Sequence, residues 1–245
     1  MTVREKQKVI LVITEGITDF CIPEAFDEHF STRQFDGVAA NGDVTVSRID
    51  ATSLRWATRG DLAKALRKII ADDIAQRHLY AIRNIIGVAQ LTDLDGAYIP
   101  DEHVVNGKEF LYLDDRIITP GVEGIIKRNR LKRQRIDALR NIQELHLTRA
   151  ISVPYRLFYS SRNLEHAMHG EAGNLSVPQK RNLSLRFSEE AQSDPEWFKS
   201  LVTSDDVLHG QTDYTESWEW ATMGLNSLAR GSNIGLLPEQ FGLSW

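Results

Sequence analysis

The sequence predicts an α/β protein in which helices flank a mostly parallel β-sheet. Two apolar runs of strand length, residues 8–14 and 85–92, are continuous rather than alternating, which is typical of strands that are covered on both faces. Between them, residues 61–77 repeat apolar side chains at helical spacing. An order in which strands alternate with helices favours a parallel sheet with right-handed crossovers.

The other elements of the first 160 residues follow from local patterns. A helix is expected from about Ile22 to Phe30, because Pro23 is tolerated only in the first turn of a helix. Residues 44–49 alternate between apolar and polar side chains, which indicates a second strand. Residues 152–159 predict a further strand, placed after the two apolar runs.

Two regions give weaker signals. Residues 97–121 are interpreted as an irregular insertion, because proline and an Asn-Gly pair interrupt any regular pattern there. The last third of the chain predicts short helices, including one that begins at Asp194-Pro195 and a final one around Trp218. The aromatic residues between 197 and 220 are interpreted as core side chains rather than as a platform on which bases stack.

Acidic residues follow both apolar runs at the point where each predicted strand ends. Glu15 and a glycine follow the first run, and Asp93, Asp95 and Gly96 end the second. Ligands bind at this end of the strands in open α/β sheets, and carboxylates two residues apart can converge on one hard cation. Neighbouring strands would cluster the three acids, which is costly unless a divalent cation neutralises them. An ordinary Asp-Gly turn is the other interpretation of the second motif.

The pattern strand-Glu-Gly-x-Thr-Asp followed by strand-Asp-x-Asp-Gly resembles the TOPRIM superfamily, whose fold topoisomerases, bacterial primases, small nucleases and OLD-type nucleases share. The resemblance covers about residues 7–100 and, more weakly, 153–159, and is greatest to small stand-alone TOPRIM nucleases of anti-phage defence systems. It implies a TOPRIM-like (Rossmann-like) catalytic domain over residues 1–165, with an insertion at about 97–150, followed by a helical C-terminal extension over residues 166–245. It also implies that Glu15, Asp93 and Asp95 are the catalytic and metal-binding residues.

Other polar residues near these motifs are weighed individually. Glu165 follows the last predicted strand and is expected to be a further metal ligand, since some TOPRIM nucleases are similar in having an extra acid there, or else to orient Arg162. Asp19 is expected to cap a helix, with the role of a fourth carboxylate left open. His166 and His169 share a helix face but lack the spacing of known zinc helices, so a surface or capping position is expected.

Residues 127–140 predict a helix with seven basic side chains and a single acid. Solvated helix faces usually mix charges of both signs, and an excess of Lys and Arg is suited to phosphate contacts. An acidic partner subunit would suit the same helix. The predicted nucleic-acid-binding residues are Lys127, Arg128, Arg130, Lys132, Arg133 and Arg135.

Composition sets the outer limits. The 245 residues, with 42% hydrophobic and 26% charged side chains, are ordinary for a globular protein. A net charge of −5 argues against coating of nucleic acid by the whole surface, so any such contact needs a local basic patch. Cys21 is the only cysteine, which excludes an internal disulfide, and it is expected to be a buried filler. No membrane-spanning stretch or signal peptide is evident, so a cytoplasmic protein is predicted.

Together these features predict a metal-dependent endonuclease that cleaves phosphodiester bonds of DNA or RNA with Mg²⁺ or Mn²⁺, as an effector in anti-phage defence. A phosphate-cradling glycine loop is not evident, so an ATPase would be a separate regulatory partner protein. No membrane partner is expected, and a homo-oligomer is one of the states that the sequence allows. Two alternatives stay open, namely a non-catalytic TOPRIM-like partner subunit of an ATPase complex and a small-molecule phosphotransferase or hydrolase.

Overall fold

The fold is described from a computed structural model that covers residues 8–30, 34–39 and 58–245. The strands within these residues are β1 (Val9–Thr14), β2 (Phe35–Ala39), β3 (Ile85–Asp93), β4 (Val104–Asn106), β5 (Leu111–Tyr112), β6 (Ile117–Thr119), β7 (Glu144–His146) and β8 (Ser152–Ser160). The helices are α1 (Cys21–Phe30), α2 (Arg59–Arg77), α3 (Val122–Arg140), α4 (Leu164–His169), α5 (Val177–Ser193), α6 (Pro195–Val202), α7 (Asp205–Leu208), α8 (Tyr214–Thr222) and α9 (Leu237–Gln240). Single 3₁₀ turns lie at Ile17–Phe20, Ile82–Asn84, Asp101–His103 and Ile234–Leu236.

The main sheet has five strands within the described residues, in the order β2-β1-β3-β8-β7. The first four are mutually parallel, and β7 pairs with β8 in the antiparallel direction at one edge. The chain is therefore an α/β protein with a mixed sheet flanked by helices, and the predicted class is confirmed at this level. The strand predicted at residues 44–49 lies outside the described residues.

The strand that pairs with β1 at the sheet edge, β2, is one that the sequence analysis did not predict. Its sequence, Phe-Asp-Gly-Val-Ala, contains an acid and a glycine, both of which are unfavourable in strands. The structure compensates for the buried charge, because Arg77 at the end of α2 forms an ion pair of 2.8 Å with Asp36. A tertiary contact therefore permits a strand that local propensity opposes.

Several predicted boundaries are confirmed. Helix α2 covers the predicted residues 61–77, and Thr58 caps its amino terminus by accepting a hydrogen bond from the backbone N–H of Asp61. Helix α1 begins at Cys21, directly after a 3₁₀ turn, so that Pro23 falls in its first turn. The insertion is more regular than expected, because β4, β5 and β6 form a small sheet on an apolar cluster of Ile99, Val104, Ile117 and Leu228. Strands of two or three residues are too short to show a period in the sequence.

Alternate residues of β1 enter two cores, one on each face of the sheet. Val9, Leu11 and Ile13 pack against the apolar sides of α2, α3 and α8, including the buried Trp218. Ile10 and Val12 belong to the opposite cluster with α1, α5, α6 and α9. The helical residues after 165 therefore complete the cores of the sheet, and the predicted core position of the aromatic residues is confirmed.

Cys21 lies in the second core and is 3% exposed, as expected for a filler. Burial raises the pKa of its thiol to about 12, so the thiolate form is rare at neutral pH. Within the described ranges, no helix combines the length and the apolar character that a membrane span requires.

Candidate active site

The carboxyl ends of β1, β3 and β8 meet at one edge of the main sheet. Gln90 of β3 lies opposite Ile13 of β1, and Asp93 lies opposite Ser160 of β8. Glu15, one residue beyond β1, accepts hydrogen bonds at Oε1 from the Thr92 hydroxyl at 2.7 Å and from the backbone N–H of Asp93 at 3.2 Å. The parallel register therefore brings the two predicted acids Glu15 and Asp93 into contact.

Asp19 joins these two acids. Its carboxylate accepts a hydrogen bond of 2.9 Å from the backbone N–H of Gly16, so it caps the 3₁₀ turn as expected. It also lines, with Glu15 and Asp93, a small cavity of about 10 Å³, which is room for about one water molecule. Burial, together with the nearby charge of Glu165, raises the pKa of Asp19 to about 6 against the opposing hydrogen bond from Gly16. Asp19 thus caps the turn and also lies beside Glu15 and Asp93.

The Asp93 carboxyl lies in an unfavourable electrostatic environment. Burial, followed by the charges of Glu15, Asp95 and Asp19, holds the pKa of the Asp93 carboxyl well above its usual range. An acid surrounded by like charges in a desolvated position gains most from a bound cation. We refer to Glu15, Asp19 and Asp93, which share the cavity, as the acid centre.

The Asp95 carboxylate has different partners from Asp93, although the two residues are only two positions apart. Its Oδ2 accepts a hydrogen bond of 2.6 Å from the ammonium group of Lys132, and its Oδ1 accepts one of 3.2 Å from the Tyr112 hydroxyl. Burial alone would raise its pKa, but the charge and hydrogen bond of Lys132 lower the pKa below the usual value. Asp95 and the following Gly96 have φ angles of 51° and 69°, which turn the chain sharply after the strand.

Glu165, the remaining predicted metal ligand, lies at the start of α4. Its carboxylate forms an ion pair of 2.8 Å with Lys180 of α5 and is 9% exposed. Burial opposes the charged form of Lys180, but Glu165 raises the net pKa of the lysine above its ordinary value. Glu165 influences Asp19 through its charge but does not line the cavity of the acid centre.

The basic helix α3 does not present all of its predicted phosphate contacts to solvent. Lys127 and Arg130 are exposed, and Arg130 pairs with Asp101. Arg128 and Arg133 instead donate hydrogen bonds to backbone carbonyls of the loop after β3, at Asp95, Ala97 and Ile99. For Lys132 and Arg135, the expected surface role needs correction, because these side chains are 0% and 2% exposed.

The two histidines of α4 also differ from the expected surface position. His166 is 6% exposed, and the structure gives its Nδ1 no hydrogen-bond partner. Burial, together with the charges of Arg162 and Arg230, lowers the pKa of His166 to about 4 despite the opposing Asp114. His169 is half-buried, and burial lowers its pKa as well. Both rings are therefore neutral at physiological pH.

The lowered pKa of His166 predicts a loss of stability in acid. Between pH 6.5 and 4 the unfolded chain binds a proton that the folded chain does not, so the free energy of unfolding falls as the pH falls. From pH 7 to pH 4, the wild type is expected to lose about 2–4 kcal/mol more than a His166→Gln variant, as measured by urea unfolding. His146→Gln, at an exposed ring, should follow the wild type. Parallel pH curves for wild type and His166→Gln would contradict the prediction.

Whether the acid centre suits a metal ion depends on the ion. Across residues 8–30, 34–39 and 58–245, no group of three or more His, Cys, Asp or Glu side chains is arranged to hold a metal ion. Mg²⁺, however, usually binds through one or two carboxylates and keeps several waters. Glu15 and Asp93 meet this smaller requirement, because the backbone N–H of Asp93 donates to the Glu15 carboxylate and both residues line the cavity. The residues present therefore fit Mg²⁺ or Mn²⁺ and give no support to a zinc site.

Sequence reasoning missed several groups that shape this site. Thr92 and Tyr112 orient Glu15 and Asp95, and Lys180 pairs with Glu165. Only Thr92 carried a local signal, as a hydroxyl within an otherwise apolar strand. Tyr112 and Lys180 come from elements that the topology places nearby, and nothing in their local sequence marks them.

No protein-family model, no curated protein and no solved structure matches this chain.

Proposed function

We propose that this chain is a metal-dependent nuclease with a TOPRIM-like fold, which hydrolyses phosphodiester bonds of DNA or RNA as an effector of anti-phage defence. The observation that carries the proposal is the contact between Glu15 and Asp93 at the ends of adjacent parallel strands, with Asp19 in the same cavity. Buried acids that raise one another's pKa are typical of functional sites. The order of the motifs, which resembles TOPRIM, supports the choice of reaction.

The chemistry follows from what each side chain can do. Mg²⁺ or Mn²⁺, when bound, would neutralise the scissile phosphate and lower the pKa of an attacking water. Asp93 would supply carboxylate oxygens as ligands. The hydrogen bonds from Thr92 and from the Asp93 backbone fix the orientation of the Glu15 carboxylate, so that it either takes up the proton of the water or ligates the ion.

The proposed contacts to the nucleic acid are fewer than the sequence indicates. Lys127 and Arg130 are the predicted basic residues of α3 with exposed side chains, so they are the ones that we assign to the phosphate backbone. Arg128 and Arg133 contribute indirectly by holding the loop after β3. Contacts to the phosphate backbone carry no sequence information and do not detect a 2′-hydroxyl, so the proposal covers both DNA and RNA.

The shape of the site favours a polymer over a small molecule. Pockets for small-molecule substrates usually enclose several hundred Å³, whereas the cavity at the acid centre measures about 10 Å³. A phosphodiester at this sheet edge would therefore lie against the acids from outside, as a nucleic acid strand does. A non-catalytic partner subunit of an ATPase would have the same acids, and only an assay for activity distinguishes it from the nuclease.

The test is cleavage of supercoiled plasmid, single-stranded DNA and total tRNA by the purified full chain. We expect cleavage of at least one substrate with Mg²⁺ or Mn²⁺, complete loss in excess EDTA, and recovery when the metal is restored in excess. Metal binding by calorimetry without any cleavage would identify the non-catalytic subunit instead. Absence of both cleavage and metal binding would show that the acid centre is structural and that the proposal is wrong.

A further inference from the structure

A lysine ammonium group is buried beside the acid centre. Lys132, in the middle of α3, is 0% exposed and lies 2.6 Å from Asp95 Oδ2. Burying an ammonium group is costly unless a carboxylate and further hydrogen bonds compensate it. Replacing the lysine by a neutral residue would therefore leave the Asp95 carboxylate without its ammonium partner.

The surroundings hold the Asp95–Lys132 pair in place. On α3, Arg128 donates to the carbonyl of Asp95 at 2.9 Å and Asn129 donates to the carbonyl of Gly96 at 3.2 Å. The backbone N–H of Asp95 donates to the carbonyl of Arg162, just after β8. The loop is thus fixed from both sides in its left-handed turn, which directs the Asp95 carboxylate towards α3 and β5.

The consequence is a division of the clustered carboxylates. Lysine side chains pair with Asp95 and with Glu165, through Lys132 and Lys180 respectively. Neither of these two acids lines the cavity that Glu15, Asp19 and Asp93 share. Two metal ions would need carboxylates on both sides of Asp93, but on the Asp95 side a protein cation already supplies the positive charge.

We propose that the Lys132 ammonium group takes the place of a second metal ion beside Asp95, so that this chain binds one divalent ion, at the Glu15 and Asp93 carboxylates of the acid centre. The inference rests on the proposed metal centre and specifies its metal content and the positioning role of Lys132. Lys132 does not contact substrate. It neutralises Asp95 and holds the loop that follows Asp93.

The test counts Mn²⁺ ions bound to the metal-free full chain, by calorimetry and by the electron paramagnetic resonance signal of free Mn²⁺. We expect one ion for the wild type and two for Lys132→Met, because the freed Asp95 carboxylate then needs a cation. Lys68→Met, at an exposed position on α2, should still bind one. Two ions in the wild type, or one in a folded Lys132→Met variant, would overturn the inference.

A double variant keeps the test valid if Lys132→Met does not fold. Lys132→Met combined with Asp95→Asn removes both charges together, and asparagine tolerates the left-handed backbone of Asp95. It should bind one Mn²⁺ with a Kd within about threefold of the wild type, because the ion does not use Asp95. A loss of affinity above tenfold would overturn the inference. If the wild type binds no ion at all, the proposed function fails rather than this assignment alone.

Discussion

Replacing Asp93 by asparagine is expected to reduce cleavage by about 1,000-fold or more, which corresponds to about 4 kcal/mol of transition-state stabilisation. Asparagine has nearly the shape of aspartate but lacks the negative charge that holds the cation at the acid centre. The measurement is the single-turnover rate of cleavage of the preferred substrate at saturating Mg²⁺, with Mn²⁺ affinity determined in parallel.

The same substitution should not weaken the fold when metal is absent. Because burial and the charges of Glu15, Asp95 and Asp19 raise the pKa of Asp93, the charged form of Asp93 opposes folding at neutral pH. In EDTA at pH 7, Asp93→Asn should therefore be as stable as the wild type or more stable. A structural aspartate would show the reverse, with lower stability in EDTA and little change in metal affinity.

Asp72→Asn is the matched control for the catalytic prediction. Asp72 lies on α2 with its side chain 50% exposed and pairs only with Lys68, one turn earlier, among the ion pairs of the described residues. Exposed pairs of this kind contribute little to stability. Cleavage by this variant should stay within about twofold of the wild type. An equal loss of cleavage in both variants would show that the effect is not specific to Asp93.

Replacing Trp218 by alanine is expected to lower the free energy of unfolding by about 3–5 kcal/mol. The indole is 1% exposed, packs edge-on against Tyr159 at 4.9 Å between ring centroids, and lies under the Arg140 guanidinium at 4.5 Å. Its Nε1–H donates to the carbonyl of Leu157 in β8. Truncation would leave a cavity beside β8, the strand that ends next to Asp93, and would remove one of the two side-chain hydrogen bonds to the Leu157 carbonyl, the other coming from the Tyr214 hydroxyl.

Urea unfolding followed by far-ultraviolet circular dichroism measures this effect. Met223, which directly follows the same helix, is 65% exposed, so Met223→Ala should change the free energy of unfolding by less than about 0.5 kcal/mol. A change below about 1 kcal/mol for Trp218→Ala would show that α8 is not part of the core.

The local sequence determined the features that depend on neighbouring residues. Continuous apolar runs identified β1 and β3, helical periodicity identified α2 and α3, and the acids that follow two strands identified the sheet edge of the site. These signals are short-range, because a strand buried on both faces must be apolar along its length, and parallel strands must end at the same edge. The contact between Glu15 and Asp93 follows from that geometry alone.

Only the tertiary structure decided which charges meet at that edge. From sequence, Asp93 and Asp95 are equivalent, and Lys132 is one of several basic residues on a helix. In the fold, the left-handed turn at Asp95 and the approach of α3 pair Asp95 with Lys132, while Asp19 takes the position beside Asp93. The partner of a buried charge depends on elements that are distant in the chain, and no local pattern carries that information. The sequence by itself therefore determined where the acids gather, and the packing of α3 determined which of them share the cavity.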